Sequence, residues 1–164
     1  MIKPQLAAAI NKQIQHEQNN SHIYLAVALY FNTQNLHGIE AFMLKQSADE
    51  RGHAEKLIKH LQDRGGKVEL AALTAPKNDF ANTLEAVKLV LDLERTTTAL
   101  IHRLFEQAQQ EKDYGLAALL QWFITEQVEE EQGAEELVNL TTQFYTHPGQ
   151  MFMLDHQWGK RVKA

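Results

Sequence analysis

The stretch Asp49-Glu50-Arg51-Gly52-His53 places a carboxylate and an imidazole three residues apart. On an α-helix, residues at this spacing lie on one side about one turn apart, so both side chains can reach a single metal ion. Glutamate and histidine are also common on solvated helix faces, and the motif alone is therefore a weak indication of a metal site. The rest of the chain decides between these two interpretations.

The composition limits the classes of protein to consider. The chain has 164 residues, enough for one domain with a sizeable core, and we expect a single domain over residues 1–164. Three prolines, eight glycines and 44% hydrophobic residues favour helices over a loop-rich β fold. Because cysteine is absent, disulfides, Cys-ligated zinc and iron–sulfur clusters are excluded, and any metal must be held by carboxylates and histidines.

Charge and hydropathy patterning indicate where the protein acts. A formal net charge of -5 argues against a nucleic-acid partner, and the basic cluster Lys160, Arg161 and Lys163 is interpreted as a solvated tail. The N-terminus lacks the pattern of a signal peptide, and the most apolar run is broken by Gln121. We expect a soluble cytoplasmic protein without a membrane partner.

Four segments around the opening stretch carry apolar residues at alternating steps of three and four, which predicts four long helices. The opening stretch belongs to the second segment, which ends at Gly65 and Gly66. The four segments begin, or are capped, at Pro4, Ile39, Asn82 and Asp113. Together they predict a four-helix bundle over about residues 5–144.

The connections between the segments define the topology. The helical period is lost between residues 65 and 81, which indicates one long crossover between the second and third helices. Two helical hairpins joined by one crossover differ from a simple up-down-up-down bundle. His147-Pro148 followed by the apolar run 151–154 predicts a short fifth helix over about residues 148–162, whose apolar side chains form either an exposed patch or a contact between subunits.

Polar residues interrupt the apolar stripe of every predicted bundle helix, and they repeat at a fixed offset. An offset of 77 residues relates two helical hairpins whose polar groups then meet at a shared midline. The related pairs are Glu17 with Glu94, Glu50 with Gln127, His53 with Glu130, and Asp49 with Glu126.

Electrostatics favour a metal at that midline. Ionised carboxylates in a dry core cost several kcal/mol each unless a cation is present, and the four stripes contain no Lys or Arg. Oxygen-rich ligation with one imidazole suits iron or manganese better than copper or structural zinc. We therefore predict two metal ions that share Glu50 as a bridge.

Two further features leave alternatives open at this point. Glu126, Glu129 and Glu130 lie at i, i+3 and i+4 on the side that meets Asp49, either as a solvated face or as a third, weaker cation site. Tyr24 lies on the stripe of Glu17, where a packing role with its hydroxyl near a carboxylate is the favoured interpretation. Of the eight histidines only His53 is predicted to be a ligand. A lone histidine on a helix is usually solvated or locally bonded, which is the role expected for the four off the stripes and the one at a stripe's end: His16, His22, His37, His102 and His60.

With these residues in place, the chain resembles the bacterial non-haem ferritins over essentially its whole length. The resemblance implies an all-α, ferritin-like fold and assigns three iron sites. The first site corresponds to Glu17, Glu50 and His53, the second to Glu50, Glu94 and Glu130 with Gln127 adjacent, and the third to Asp49, Glu126, Glu129 and Glu130.

The resemblance also implies an activity. It is that of a ferroxidase, which oxidises Fe(II) with O2 or H2O2 and stores Fe(III) as a mineral in a hollow cage of 24 subunits. Tyr24 matches a tyrosine associated with electron transfer in that family. Haem is not expected, because Arg51 stands where the related bacterioferritins carry a methionine ligand. The alternatives are a di-iron oxidase or peroxidase that forms no cage, and a non-catalytic helical interaction module.

Two positions depart from expectation. Asp49 is one methylene shorter than the glutamate usual in the resembling family. Gly52 falls in a helix interior, where glycine costs about 1 kcal/mol relative to alanine, and the sequence offers no reason for it.

Overall fold

The computed structural model describes residues 1–162, so Lys163 of the basic tail lies outside the described residues. Within that range the chain forms five helices and no strand, which confirms the all-α prediction. The helices are α1 (Pro4–Thr33), α2 (His37–Asp63), α3 (Thr83–Gln110), α4 (Tyr114–Phe144) and α5 (Pro148–Arg161).

Local chemistry explains where the helices begin and end. Asn82 and Asp113 cap α3 and α4 through side-chain oxygens that accept hydrogen bonds from the backbone N–H three residues on. Pro4 and Pro148 occupy the first turns of α1 and α5. After α2, Gly65 adopts a positive φ of 71°, a conformation that glycine adopts without strain.

The predicted crossover runs along α1 through residues 64–82. Asn11 binds it twice, by donating to the Lys67 carbonyl and accepting from the Glu69 N–H, both at 2.9 Å. Farther along α1, Gln15 donates to the Ala72 carbonyl at 2.8 Å, and Asn19 accepts from the Thr74 N–H at 2.9 Å. The crossover thus carries the chain along the bundle, so that α3 starts at the end where α1 finishes.

The core consists of two apolar clusters. One surrounds Phe31, Met43 and Trp158, and the other surrounds Ile14, Leu57 and Phe123. Buried polar side chains occur on all four bundle helices, between the apolar residues of the two clusters along the chain. No helix in the described part of the chain is long and apolar enough to cross a membrane.

The fifth helix packs on its own bundle more closely than the sequence predicted. Asp155 accepts a hydrogen bond from the Ile39 N–H at 2.8 Å, and a Cβ placed on Gly38 would lie 1.9 Å from the Asp155 carbonyl oxygen. Met151 and Leu154 are buried in the same chain, so these two side chains belong neither to an exposed patch nor to a subunit contact. Phe152 and Met153 remain 66% and 73% exposed.

Candidate metal centre

Three side chains converge between α1 and α2. One ligand atom from each of Glu17, Glu50 and His53 lies within 4.8 Å of the others, and all three residues are buried. Gln13 donates to Glu17 Oε1 at 2.7 Å, and Asn20 donates to Glu50 Oε2 at 3.1 Å. The remaining Glu17 Oε2, Glu50 Oε1 and His53 Nδ1 have no hydrogen-bond partner among the described residues. Two carboxylate oxygens and one imidazole nitrogen are therefore free to bind a cation.

Glu94 of α3 lies beside this group but is fully engaged. The Tyr24 hydroxyl donates to Glu94 Oε1, and Gln127 Nε2 donates to Glu94 Oε2 at 3.1 Å. The same Gln127 amide lies 3.3 Å from the Glu94 carbonyl oxygen. The structure therefore brings Tyr24, Glu94 and Gln127 together through hydrogen bonds.

Glu130 of α4 accepts a hydrogen bond from Gln46 Nε2. Across residues 1–162, the set Glu50, Glu94 and Glu130 does not form a second group with ligand atoms as close as those of the first. The two predicted iron positions consequently differ in geometry, one converged and one not.

Burial perturbs the ionisation of the centre. It raises the pKa of Glu17 to about 7 and that of Glu130 to about 8. Burial, followed by the charges of Glu17 and Glu94, raises the pKa of Glu50 well above its usual range, and burial also raises the pKa of Glu94. Burial lowers the pKa of His53 to about 4, so at neutral pH its ring is uncharged. A cation would reverse this penalty by stabilising the ionised carboxylates.

The chain is similar to known proteins over nearly its full length. Residues 7–144 match the family model described as a ferritin-like domain. The bacterial non-heme ferritin of Staphylococcus aureus (strain USA300) is 35% identical over 162 residues, which cover 99% of this chain and 98% of the relative. The chain belongs to the ferritin family. The bacterial non-heme ferritin of Staphylococcus epidermidis is 32% identical over 161 residues, covering 98% and 97% of the two chains.

Solved ferritin structures have the same fold. The open-pore ferritin of the hyperthermophilic archaeon Archaeoglobus fulgidus superposes with a TM-score of 0.94 at 33% identity, covering 97% of this chain and 98% of that chain. A humanized archaeal ferritin gives a TM-score of 0.94 at 32% identity over 97% and 96% of the two chains. The ferritin-like arrangement of four bundle helices and a short fifth helix is thereby confirmed.

In this ferritin chain, the acidic residues of the predicted third site line one cavity of about 420 Å³ between α2 and α4. We call it the α2–α4 groove, and its acidic residues are Asp49, Glu126, Glu129 and Glu130. Asp49 also accepts from Lys45 at 2.7 Å. In the part of the chain that the structure describes, these carboxylates share a groove without forming a tight ligand group.

Trp122 lies at the edge of the groove and packs against the centre. Its ring centroid is 5.5 Å from that of His53, and the Lys56 ammonium lies 4.1 Å from the Trp122 ring centroid. These contacts give Trp122 a packing role beside the centre. Its position also makes the tryptophan a natural reporter for metal near His53.

Sequence reasoning missed a hydrogen-bonded array behind Glu50. Asn20, fully buried, donates to Thr97 Oγ1 at 3.0 Å as well as to Glu50, and His16 Nε2 lies 2.9 Å from the same Thr97 oxygen. Of the two roles expected for His16, solvated or locally bonded, the contact with Thr97 gives the second, and burial lowers its pKa. Asn20 follows Glu17 by three residues, and this spacing was the available signal for a partner on the same helix face.

Helical spacing alone does not identify these residues. A step of four from Glu17 and from Glu94 leads to Ser21 and Thr98, whereas the structure buries Asn20 and Thr97, one step of three away, more deeply. Neighbouring positions on a helix differ by about 100°, so a step of three and a step of four both remain on a broad core face.

Proposed function

We propose that this protein stores iron and has ferroxidase activity, oxidising Fe(II) with O2 or H2O2 and holding Fe(III) as a mineral inside a hollow oligomeric cage. The observation that carries the proposal is the group of Glu17 Oε2, Glu50 Oε1 and His53 Nδ1, buried and without hydrogen-bond partners among the described residues. Its oxygen-rich donor set with one imidazole fits iron. Membership of the ferritin family supports the storage role.

In this proposal iron is the substrate. Glu17, Glu50 and His53 bind the first Fe(II), and Glu50 then bridges to a second Fe(II) held with Glu94 and Glu130. Ligation requires ionised carboxylates, so binding releases the protons that burial favours on Glu17 and Glu130.

The electron balance needs both metal positions. Two Fe(II) ions supply two electrons, which with two protons reduce O2 to H2O2, or H2O2 to two water molecules. Tyr24, which donates a hydrogen bond to Glu94, is the side chain that we propose to assist the transfer of these two electrons from iron to the oxidant, without a net change in its own oxidation state. Gln127 stays beside Glu94 as a neutral donor that orients it.

The α2–α4 groove holds the proposed third iron site. Asp49, Glu126, Glu129 and Glu130 line it beside the centre, and Glu130 belongs to both sites. Because Asp49 is already paired with Lys45 and Glu129 is exposed, iron should bind here more weakly than at Glu17, Glu50 and His53.

Assembly into a cage of 24 identical subunits is part of the proposal. Its support is the full-length similarity to ferritins together with large apolar side chains on the surface, among them Leu29, Leu70, Phe152 and Met153. The proposal places the protein in the cytoplasm. It involves neither haem nor a nucleic-acid partner.

Aerobic addition of Fe(II) to the wild type and to a Glu50→Ala, His53→Ala variant tests the activity. The wild type should show rapid oxidation of about two Fe(II) per subunit, and the double variant should lose this phase. Equal rates in the two proteins would refute the active centre. Glu129→Ala should keep the rapid phase and bind less iron in total, and loss of the rapid phase in this variant would contradict the third-site assignment.

Particle mass and iron per particle test storage in the same samples. A large particle carrying many more iron atoms than its oxidation sites supports storage. A monomer or dimer that oxidises iron would instead identify a di-iron oxidase or peroxidase without a cage.

A further inference from the structure

The α2–α4 groove contains two glycines inside helices. Gly52 lies in the middle of α2 and Gly133 in the middle of α4, and both line the groove. After proline, glycine is the residue least favourable to a helix interior, because it loses the most backbone freedom on folding. Two glycines at one cavity therefore require an explanation.

Backbone geometry and close packing do not provide one. Among the described residues, Gly65 is the glycine with positive φ, so the helical backbone at Gly52 and Gly133 would accept any L-residue except proline. A Cβ added at either position would meet no described atom within 4 Å. By contrast, a Cβ on Gly159 would lie 2.9 Å from the Gly38 Cα, where glycine is needed for contact between helices.

The groove leads from the surface to the centre. Its inner wall includes His53 and Glu130, and its outer part includes the exposed Glu129. Gln46 contacts Glu130 while His53 contacts Trp122, so α2 and α4 pass each other in opposite directions. Gly52 accordingly lies towards the Trp122 end of the groove, and Gly133 lies towards the other end.

The charged side chains that line the α2–α4 groove determine which ions could pass through it. Four carboxylates face three basic groups, of which Lys45 is paired with Asp49 and Arg161 with Glu136 outside the groove. The remaining lysine, Lys56, lies over the Trp122 ring. This distribution attracts a divalent cation and repels an anion. A divalent cation with a full shell of six waters is about 7 Å across, so side chains at the groove would obstruct it.

We propose that Gly52 and Gly133 keep the α2–α4 groove open as the passage by which hydrated Fe(II) reaches His53 and Glu130, an inference that rests on the proposed function. The absence of a side chain is the functional property at both positions. Glycine lowers the stability of the helix but leaves the groove open, which accounts for its presence at position 52 in the helix interior.

Substitutions at Gly52 and Gly133 can distinguish a role in keeping the groove open from a role in helix structure. Gly52→Ala and Gly133→Ala should raise the thermal midpoint, by about 2 to 4 °C, because alanine favours the helix and its Cβ has space. Gly52→Leu and Gly133→Leu should fill the groove. Gly149→Leu is the matched control, since a Cβ there also meets no described atom within 4 Å and Gly149 is not among the residues lining the groove.

The measurement is stopped-flow mixing of the assembled protein with Fe(II) without oxygen, followed by quenching of tryptophan emission. A Trp122→Phe variant identifies the signal that arises beside His53. In the two leucine variants we expect association to slow about tenfold, equivalent to about 1.4 kcal/mol in the barrier. Dissociation should slow equally, because a narrower passage raises the barrier in both directions and leaves the affinity unchanged.

Each outcome decides the proposal. Wild-type association rates in the leucine variants overturn it, and so does a loss of affinity, which would show that the side chain distorts the centre. Lower thermal midpoints in the alanine variants would assign the glycines a structural role and also overturn it. If even the wild type binds no Fe(II), the proposed function itself fails, and that result is distinct from wild-type binding that is insensitive to the glycines.

Discussion

The two halves of the polar layer contain matching residues with different hydrogen bonding. Glu17, Glu50 and His53 each keep one ligand atom without a hydrogen-bond partner within residues 1–162, whereas both carboxylate oxygens of Glu94 accept hydrogen bonds. The first half is therefore arranged for a cation in advance, and the second must give up existing bonds before it can bind one. The difference teaches that an approximate twofold in sequence need not produce two equivalent sites, because the bonds to each ligand decide its availability.

Removing a ligand from each half should have unequal effects. Glu17→Ala should weaken binding of the first Fe(II) at least about 100-fold, since even the outer partners of metal ligands typically contribute about 10- to 100-fold. Glu94→Ala should leave that first binding step nearly unchanged and abolish the second. Anaerobic Fe(II) titration by calorimetry resolves the two steps. Equal losses of the first step in both variants would remove the distinction between the halves.

The pH dependence of stability should also separate the halves. The pKa values of about 7 for Glu17 and about 8 for Glu130 exceed those of the unfolded chain, so the folded state holds extra protons and loses stability as pH rises towards these values. His53, with a pKa of about 4, acts in the opposite sense, but its effect is complete above the ordinary histidine pKa of about 6.5.

From pH 6.5 to 8, Glu17 and Glu130 alone should therefore lower the stability of the metal-free protein by about 2 kcal/mol per subunit, and Glu50 and Glu94, whose pKa values are also raised, should add to this loss. Glu130→Gln should remove more of this slope than Glu17→Gln, because Glu130 titrates later in the window. Chemical denaturation in the presence of a chelator measures the slope. Stability that stays constant or rises over this range would contradict the ionisation assigned to the centre.

Asn20 should influence the first half most directly, through its hydrogen bond to Glu50. It holds Glu50 Oε2 at 3.1 Å and so leaves Oε1 free beside His53. Asn20→Ala should weaken the first Fe(II) about tenfold through the lost orientation of Glu50. Asn20→Ser, which retains a donor, should recover part of the loss, and His102→Ala on the exposed face of α3 serves as a control. Affinity equal to wild type in Asn20→Ala would show that Glu50 is oriented by other contacts.

Tyr24→Phe should make the second half resemble the first. It releases Glu94 Oε1 from its hydrogen bond, which is worth about 1 kcal/mol, so the second Fe(II) should bind about fivefold more tightly. Oxidation should nevertheless not accelerate, because the variant also lacks the hydroxyl proposed for electron transfer. A weaker second binding step would indicate that Tyr24 supports the metal-bound position of Glu94 instead of competing for it.

Helical periodicity predicted the centre because ligands on long helices follow the same rule as the core. Glu17, Glu50 and His53 fall on stripes whose neighbours, Ile14 and Leu57, are buried. Helical periodicity could not decide whether Asn20 or Ser21 is buried at the centre, because both positions satisfy the spacing of three and four residues. Only the bonds to Glu50 and Thr97 distinguish them.

The remaining features that the sequence did not predict depend on tertiary contacts. The burial of Met151 and Leu154 depends on the close approach between Gly38 and α5, which no local pattern encodes. The open ends of the groove at Gly52 and Gly133 likewise become visible only when α2 and α4 lie side by side.

The hydrogen bonds from α1 to the crossover allow the length of the crossover to be compared with the distance that it spans. From Asn11 to Asn19 the helix rises about 12 Å, whereas the chain from Glu69 to Thr74 could span more than about 16 Å if fully extended. The connection is thus longer than the distance it must span, and its course is fixed by hydrogen bonds from side chains of α1 and not by a fully extended backbone. Changes in its length should be absorbed locally, so this segment is where the fold can accommodate insertions without shifting the register of its helices.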